Sequence, residues 1–277
     1  MENNISRRRA LRLGVSALAG GAGALAGSRA LFPDGAHAGD VSTTSCGGSL
    51  TWHTAIGGAS LINESSRSQR NERFNEAFFQ RLYNWRMFYS NNNPWSLLSQ
   101  VWNYGAYADR GDGCVSMHNY GRAFDITRGY GTNTGNTLQF LARYDIWKNY
   151  TGATLVLYRR RYWAAAASLH YYFRHTLTYR YNTAHHNHIH VDNKVSGTGL
   201  STFSTGSKTQ VQSVQAMLSY VWGYSERNTS WSDSIDGDRC AAVLARIGYG
   251  GRITSGQRYW LAFLQGTCRK GTGRQSY

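Results

Sequence analysis

The chain has 277 residues, a formal net charge of +15 and four cysteines. Such an excess of base favours polyanionic partners: nucleic acid, anionic lipid or anionic cell-wall polymer. No zinc-finger, homeodomain or similar signature accompanies the charge, so specific nucleic-acid recognition is not expected.

The first residues read as an address rather than as part of a fold. Residues 6–12 are SRRRALR, an Ala/Gly-rich apolar run covers 13–27, and AHA at 36–38 offers small residues to a signal peptidase. This layout predicts a twin-arginine signal peptide over residues 1–38. The apolar run is short and glycine-rich for a spanning helix, which needs about 20 apolar residues. The expectation is an exported protein, secreted or associated with the cell wall, with no stable membrane insertion after cleavage. In that oxidising setting Cys46, Cys114, Cys240 and Cys268 suggest disulfides. Proximity along the chain favours Cys46–Cys114 and Cys240–Cys268, and no CxxC spacing supports a metal cluster.

Residues 39–63 are polar and glycine-rich, in keeping with an N-terminal strand or arm. From Asn71 to Tyr89, Phe74, Phe78, Leu82 and Trp85 recur at steps of three and four and predict an amphipathic helix. Leu138, Leu141 and Trp147 predict a second helix over Thr137–Tyr150, and YWAAAASLHYYFRH a third over about Arg161–Thr176. Strands are expected at AFDI (123–126) and HIHV (188–191). Helices and short strands in irregular alternation indicate α+β rather than a doubly wound sheet. Residues 194–209, KVSGTGLSTFSTGSKT, have linker composition. The expected organisation is a first domain over 39–195, a linker over 196–209 and a helical domain over 210–277. The last is small enough to need the Cys240–Cys268 crosslink.

Two stretches carry chemistry. In SMHNYGRAFD, His118 and Asp125 stand seven residues apart and converge if the chain turns at Gly121. In TAHHNHIHVDN, four of the nine histidines fall within residues 185–190, and His188 and His190 share one face of a strand. Imidazole nitrogen and carboxylate oxygen are both zinc ligands, and three protein ligands with an open position is the composition of a catalytic zinc site.

The pattern S-x-H-x-x-G-x-A-x-D followed by a downstream H-x-H resembles the zinc D-alanyl-D-alanine carboxypeptidase and endopeptidase family, and the related extensin-like C-terminal domains, over roughly residues 70–195. The resemblance implies a small antiparallel sheet with flanking helices, Zn2+ as cofactor, and His118, Asp125 and His190 as its ligands. It implies peptide bonds in peptidoglycan stems or cross-links as substrate. It also implies substrate-binding roles for Arg110, upstream of the first motif, and for Ser116, whose alternative is to tie down its own loop.

One departure stands out. Where the family has an acidic general base, three residues before the last ligand, this chain has Asn187, and an amide cannot accept the proton. Three explanations compete: His188 or His185 acts as the base, with Asn187 donating to the oxyanion; Asp192 or Asp112 supplies the carboxylate; or the domain keeps its zinc and binds cell wall without turnover. The enzyme reading is preferred. His186 lies on the same expected strand face as His188 and His190 or points to solvent, while His170 and His175 are expected to be structural. In the C-terminal region, Val214, Gln215 and Leu218, then Asp236 and Gly237, then Phe263 and Gln265 faintly resemble the peptidoglycan-binding module, the alternative being a plain helical stabilising domain.

Overall fold

The computed structural model describes residues 42–44, 46, 48–109, 114–132, 136–194, 199–225 and 235–277. The expected signal peptide, Arg110 and Asp112 lie outside the described residues. The elements in chain order are β1 (Ser42–Thr44), β2 (Gly48–His53), β3 (Ala55–Ile56), β4 (Ala59–Asn63), β5 (Glu72–Phe74), α1 (Glu76–Asn91), β6 (Leu98–Asn103) and β7 (Ala123–Gly131). They continue with β8 (Thr137–Leu141), α2 (Tyr144–Trp147), α3 (Gly152–Tyr172), β9 (His175–Leu177), β10 (Ile189–Asp192), α4 (Lys208–Tyr220), α5 (Gly237–Arg246) and α6 (Gln257–Thr272). The class is therefore mixed α and β, as expected.

There are two sheets among the described residues. A small antiparallel one runs β1-β2-β5, and a larger mixed one runs β3-β4-β6-β7-β10-β9, with β8 also paired to β7. The larger sheet is not wholly antiparallel, because β4 and β6 pair in parallel. Within it β7 and β10 pair antiparallel, and His190 stands directly opposite Asp125.

Helix α1 starts later than its periodicity predicts. Asn75 caps it by accepting from the Phe78 N–H at 3.2 Å, so Glu72–Phe74 are free to pair with β2 instead. Phe78, Leu82, Trp85 and Tyr89 then bury one stripe, as their spacing demands. The helix expected over Thr137–Tyr150 does not form. Its first five residues are β8, and only Tyr144–Trp147 are helical. Leu138 and Leu141 fit either period over so short a run, and the unpaired side of β7 decides the matter, with Leu141 opposite Arg128. Helix α3 begins earlier and ends sooner than expected, leaving His175 to open β9.

Every residue of α3 from Tyr162 to His170 is buried, because α1, α4 and α6 surround it. The run of alanines at 164–167 suits that position. A Cβ at Gly271 of α6 would sit 2.7 Å from the Ala164 methyl, so the two helices meet at a distance only glycine permits. Through this contact the C-terminal helices share one hydrophobic cluster with α1 and the sheet. The boundary expected near residue 200 coincides with no break in the core: Ser201 N–H donates to the Tyr171 carbonyl, and Trp260 Nε1 donates to Ser201 Oγ at 2.8 Å.

The cysteines divide unequally. Cys46 and Cys114 form a disulfide, whereas Cys240 and Cys268 are buried free thiols on α5 and α6. The second crosslink was expected for a segment too small to hold a core of its own. Packed on α3, the segment draws on the core of the whole molecule, and burial pushes both thiols up to about 12.

Candidate metal centre

The first motif builds its turn as expected. Residues 117–120 form a single 3-10 turn, and Ser116 Oγ accepts from the His118 N–H at 3.2 Å. Ser116 thus ties down the loop, which is one of the two roles foreseen for it. The turn ends at Gly121 in the left-handed region (φ 60°), where a Cβ would lie 2.9 Å from both the Asn75 nitrogen and the Leu50 side chain. Only glycine reverses the chain there and lets β7 start at Ala123. Along β7, Phe124 and Ile126 enter the core, so Asp125 faces the other way. Along β10, Ile189 and Val191 do the same, which puts His190 on the face of Asp125.

The three expected ligands meet. Potential ligand atoms of His118, Asp125 and His190 all lie within 4.8 Å of one another. His118 Nε2 is 3.3 Å from His190 Nδ1 and 3.3 Å from Asp125 Oδ2, and His190 Nδ1 lies 2.8 Å from Asp125 Oδ1. Four ligands at zinc bond lengths of about 2.0–2.1 Å define a tetrahedron with edges of about 3.3–3.4 Å. Two separations in this donor set, 3.3 Å each, match that figure, while the 2.8 Å contact of His190 is shorter and made to the other oxygen of Asp125. The side chains are 7, 12 and 12 % exposed, shielded yet reachable.

Both histidines are oriented from behind. His118 Nδ1 donates to the Ala106 carbonyl at 2.5 Å, which leaves its Nε2 lone pair turned toward the cluster. His190 Nε2 donates to Asp192 Oδ2 at 3.2 Å, which leaves Nδ1 as the ligating atom. A backbone carbonyl or a carboxylate behind each ligating imidazole is the usual outer support of a metal site. The residues present therefore fit a divalent metal ion.

Within the cluster the carboxylates and imidazoles shift one another's charge. Burial disfavours the Asp125 carboxylate, but hydrogen bonds from His118 and His190 outweigh it and hold the group well below the usual carboxylate range. Burial likewise opposes charge on His190, yet contacts with Asp125 and Asp192 push it up to about 9. In His185 burial comes first, and the neighbouring His188 and His190 add to it, so its value falls to about 4.

The remaining sequence candidates separate. His185 and His188 belong to the site: their ring centroids are 5.2 Å apart, and His188 Nε2 lies 3.4 Å from Asp125 Oδ1. Asn187 is occupied with orienting its neighbour, its Oδ1 accepting from His188 Nδ1 at 2.6 Å. His186 is outside the cluster, edge-on to Tyr144 at 5.0 Å, because β10 begins only at Ile189 and the residues before it turn away from the expected face. Asp192, weighed as a replacement base, sits behind His190 and also takes contacts from His175 Nδ1 at 3.2 Å and the Lys194 N–H at 2.8 Å. His170 is structural as expected, hydrogen-bonded to Ser213 Oγ at 2.8 Å.

Two supporting residues went unforeseen. The Ala106 carbonyl carries no sequence signal at all. Glu72 Oε2 accepts from the Ala106 N–H at 3.2 Å and so steadies that peptide behind His118, while burial raises its own carboxyl above the usual range. No family model, no curated protein and no solved structure matches this chain.

Proposed function

We propose that the protein is an exported zinc-dependent peptidase that hydrolyses amide bonds in the peptide stems or cross-links of peptidoglycan. The observation that carries the reading is the convergence of His118, Asp125 and His190, whose potential ligand atoms all lie within 4.8 Å of one another. His118 Nε2, Asp125 and His190 Nδ1 would hold the ion, and the ion would supply Lewis-acid polarisation of an amide carbonyl. The chain's own contribution is preorganisation. Ala106 and Asp192 fix the two rings, and Gly121 sets the distance between His118 and β7. The net charge of +15 suits an anionic polymer as substrate. The paired motifs add the resemblance to zinc D-alanyl-D-alanine peptidases, and the leader adds export by the twin-arginine route.

The test is incubation of purified protein with peptidoglycan peptides, with and without chelator, read by mass spectrometry. Metal-dependent cleavage that disappears in His118→Ala is expected. Absence of cleavage under every metal condition rejects the peptidase.

One observation favours a second reading, a zinc-containing wall-binding protein without turnover. The position expected to hold a base carries an amide that is already engaged with His188. Appearance of cleavage only in Asn187→Asp would establish the natural chain as a binder.

A further inference from the structure

Asp192, behind His190, also lines a cavity of about 170 Å³ bordered by α1, β9, the end of β10 and residues 199–202. Drug-sized ligands take about 300–1,000 Å³, so this space suits a small group. Its acceptors are already engaged. Asp192 Oδ1 takes His175 Nδ1 at 3.2 Å and the Lys194 N–H at 2.8 Å, and Oδ2 takes His190 Nε2 at 3.2 Å. The Gly199 carbonyl accepts from Arg81 Nη2, and those of Leu200 and Ser201 accept from Gln257 Nε2 at 2.7 and 3.3 Å. The Thr202 carbonyl accepts from Gln210 Nε2 at 2.8 Å.

The donors around the cavity are not used up in this way. Arg174 has no hydrogen bond or ion pair to any described residue, and a guanidinium can only donate. Arg81 gives an N–H to Gly199 but pairs with no carboxylate among the described residues, although burial already disfavours its charge. Asn193 is 8 % exposed, and its Oδ1 accepts from Arg122 Nε at 2.8 Å while its own carbonyl accepts from Arg122 Nη2. Its amide N–H groups are what it has left to offer. Two arginines and a buried amide donor thus border a space whose acceptors have partners.

We propose that this cavity binds a small oxyanion, a phosphate group in preference to a carboxylate, held by Arg81, Arg174 and Asn193. The guanidinium fork matches the oxygens of either anion. Charge decides between them. A phosphate monoester carries about −1.5 to −2 near neutral pH and so answers both arginines, whereas a carboxylate answers one. None of His118, Asp125, His185, His188 and His190 lines the cavity, and its cationic donors repel a metal ion. Phosphate binding there is independent of zinc in the cluster and of peptidase activity.

The experiment is isothermal titration calorimetry of the full chain near neutral pH and at fixed ionic strength, after removal of metal so that phosphate cannot act through zinc. The probes are inorganic phosphate, glycerol 3-phosphate and acetate. One phosphate per chain is expected, with acetate binding more weakly. Arg81→Gln and Arg174→Gln should each weaken phosphate by about tenfold or more, the worth of a hydrogen bond to a charged group. Arg174 bonds to no described residue, so its replacement guards against a loss of folding in the other variant. Arg252→Gln removes an exposed charge that does not line the cavity and should leave the affinity unchanged. Binding of glycerol 3-phosphate beside inorganic phosphate assigns the site to a phosphate-bearing ligand, and binding of inorganic phosphate alone assigns it to the free ion. No phosphate binding by the wild type overturns the site, as does wild-type affinity in both cavity variants. An equal loss in Arg252→Gln overturns it too, because the attraction is then one of net charge. Acetate binding as tight as that of phosphate overturns the preference for phosphate.

Discussion

Replacing Cys46 and Cys114 together by serine removes the crosslink that closes a 68-residue separation between the start of the small sheet and the loop ahead of His118. Freeing a loop of that length returns to the unfolded chain an entropy worth roughly 4 kcal/mol at 25 °C. In a protein of this size each kcal/mol moves the melting temperature by about 2–4 °C, so a fall of roughly 10–15 °C is expected. The loss is not confined to global stability. Cys114 stands two residues before Ser116, whose hydroxyl caps the turn that carries His118. On the proposed zinc reading, ordering that turn would then fall to the ion, so zinc affinity should fall along with the melting temperature. Differential scanning calorimetry of the apo protein gives the first quantity, and competition with a chromophoric chelator gives the second. A melting temperature within about 3 °C of wild type would show that the crosslink constrains nothing the fold does not already hold. An unchanged affinity beside a large thermal loss would detach the loop from the metal centre.

Four further outcomes follow from single side chains. Asp192→Asn takes the carboxylate from behind His190 Nε2, and loss of such an outer partner weakens metal binding about 10–100-fold, measurable in the same chelator competition. His170 is buried and held down to about 3, far below its unfolded value, so the folded state excludes a proton that the unfolded chain accepts. Its contribution is complete above the unfolded value near 6.5 and is lost as pH falls from there toward 3. Between pH 6 and 4 this amounts to roughly 2–3 kcal/mol, and urea titrations of His170→Gln should show a shallower acid slope by that amount. Gly121→Ala places a methyl against the Asn75 backbone in a left-handed turn and should cost roughly 2 kcal/mol or more in urea denaturation. His186→Ala, beside Tyr144 and outside the cluster, should leave bound zinc unchanged in elemental analysis.

What the sequence disclosed and what it withheld divide along physical lines. Gly121, Asp125 and His190 were legible because their constraints are local: a turn that only glycine makes, and strand alternation that fixes a face. The helix of α1 was legible from its apolar stripe. The segment at 137–141 was not, because its strand character comes from pairing with β7, a partner that no local pattern names. The expected Cys240–Cys268 crosslink failed for a related reason. Small segments need covalent support when they fold alone, and this one lies against α3 through Gly271 and Ala164. Around the candidate metal centre the side chains that meet could be read and their supports could not. The Ala106 carbonyl is a backbone atom, Glu72 acts through a peptide, and Asp192, one candidate base among several, stands behind His190.

The amide at residue 187 is where these threads join. In the peptidase motif it stands where a base is expected, which leaves a neighbouring imidazole, a carboxylate from elsewhere or loss of turnover as the alternatives. In the folded chain Asn187 and Asn182 do one job twice over: each holds the Nδ1 of a histidine and turns the other nitrogen into the site. A histidine serving as a proton carrier gains from a partner that can accept charge as the ring protonates, as Asp192 does for His190. A neutral amide gives His185 and His188 no such help, and burial with like neighbours already pulls His185 down to about 4. A ring kept neutral, as His185 is, is better suited to hold a cation than to shuttle protons. The crowding of four histidines into residues 185–190 divides accordingly: His185, His188 and His190 face one cluster, and His186 packs on Tyr144.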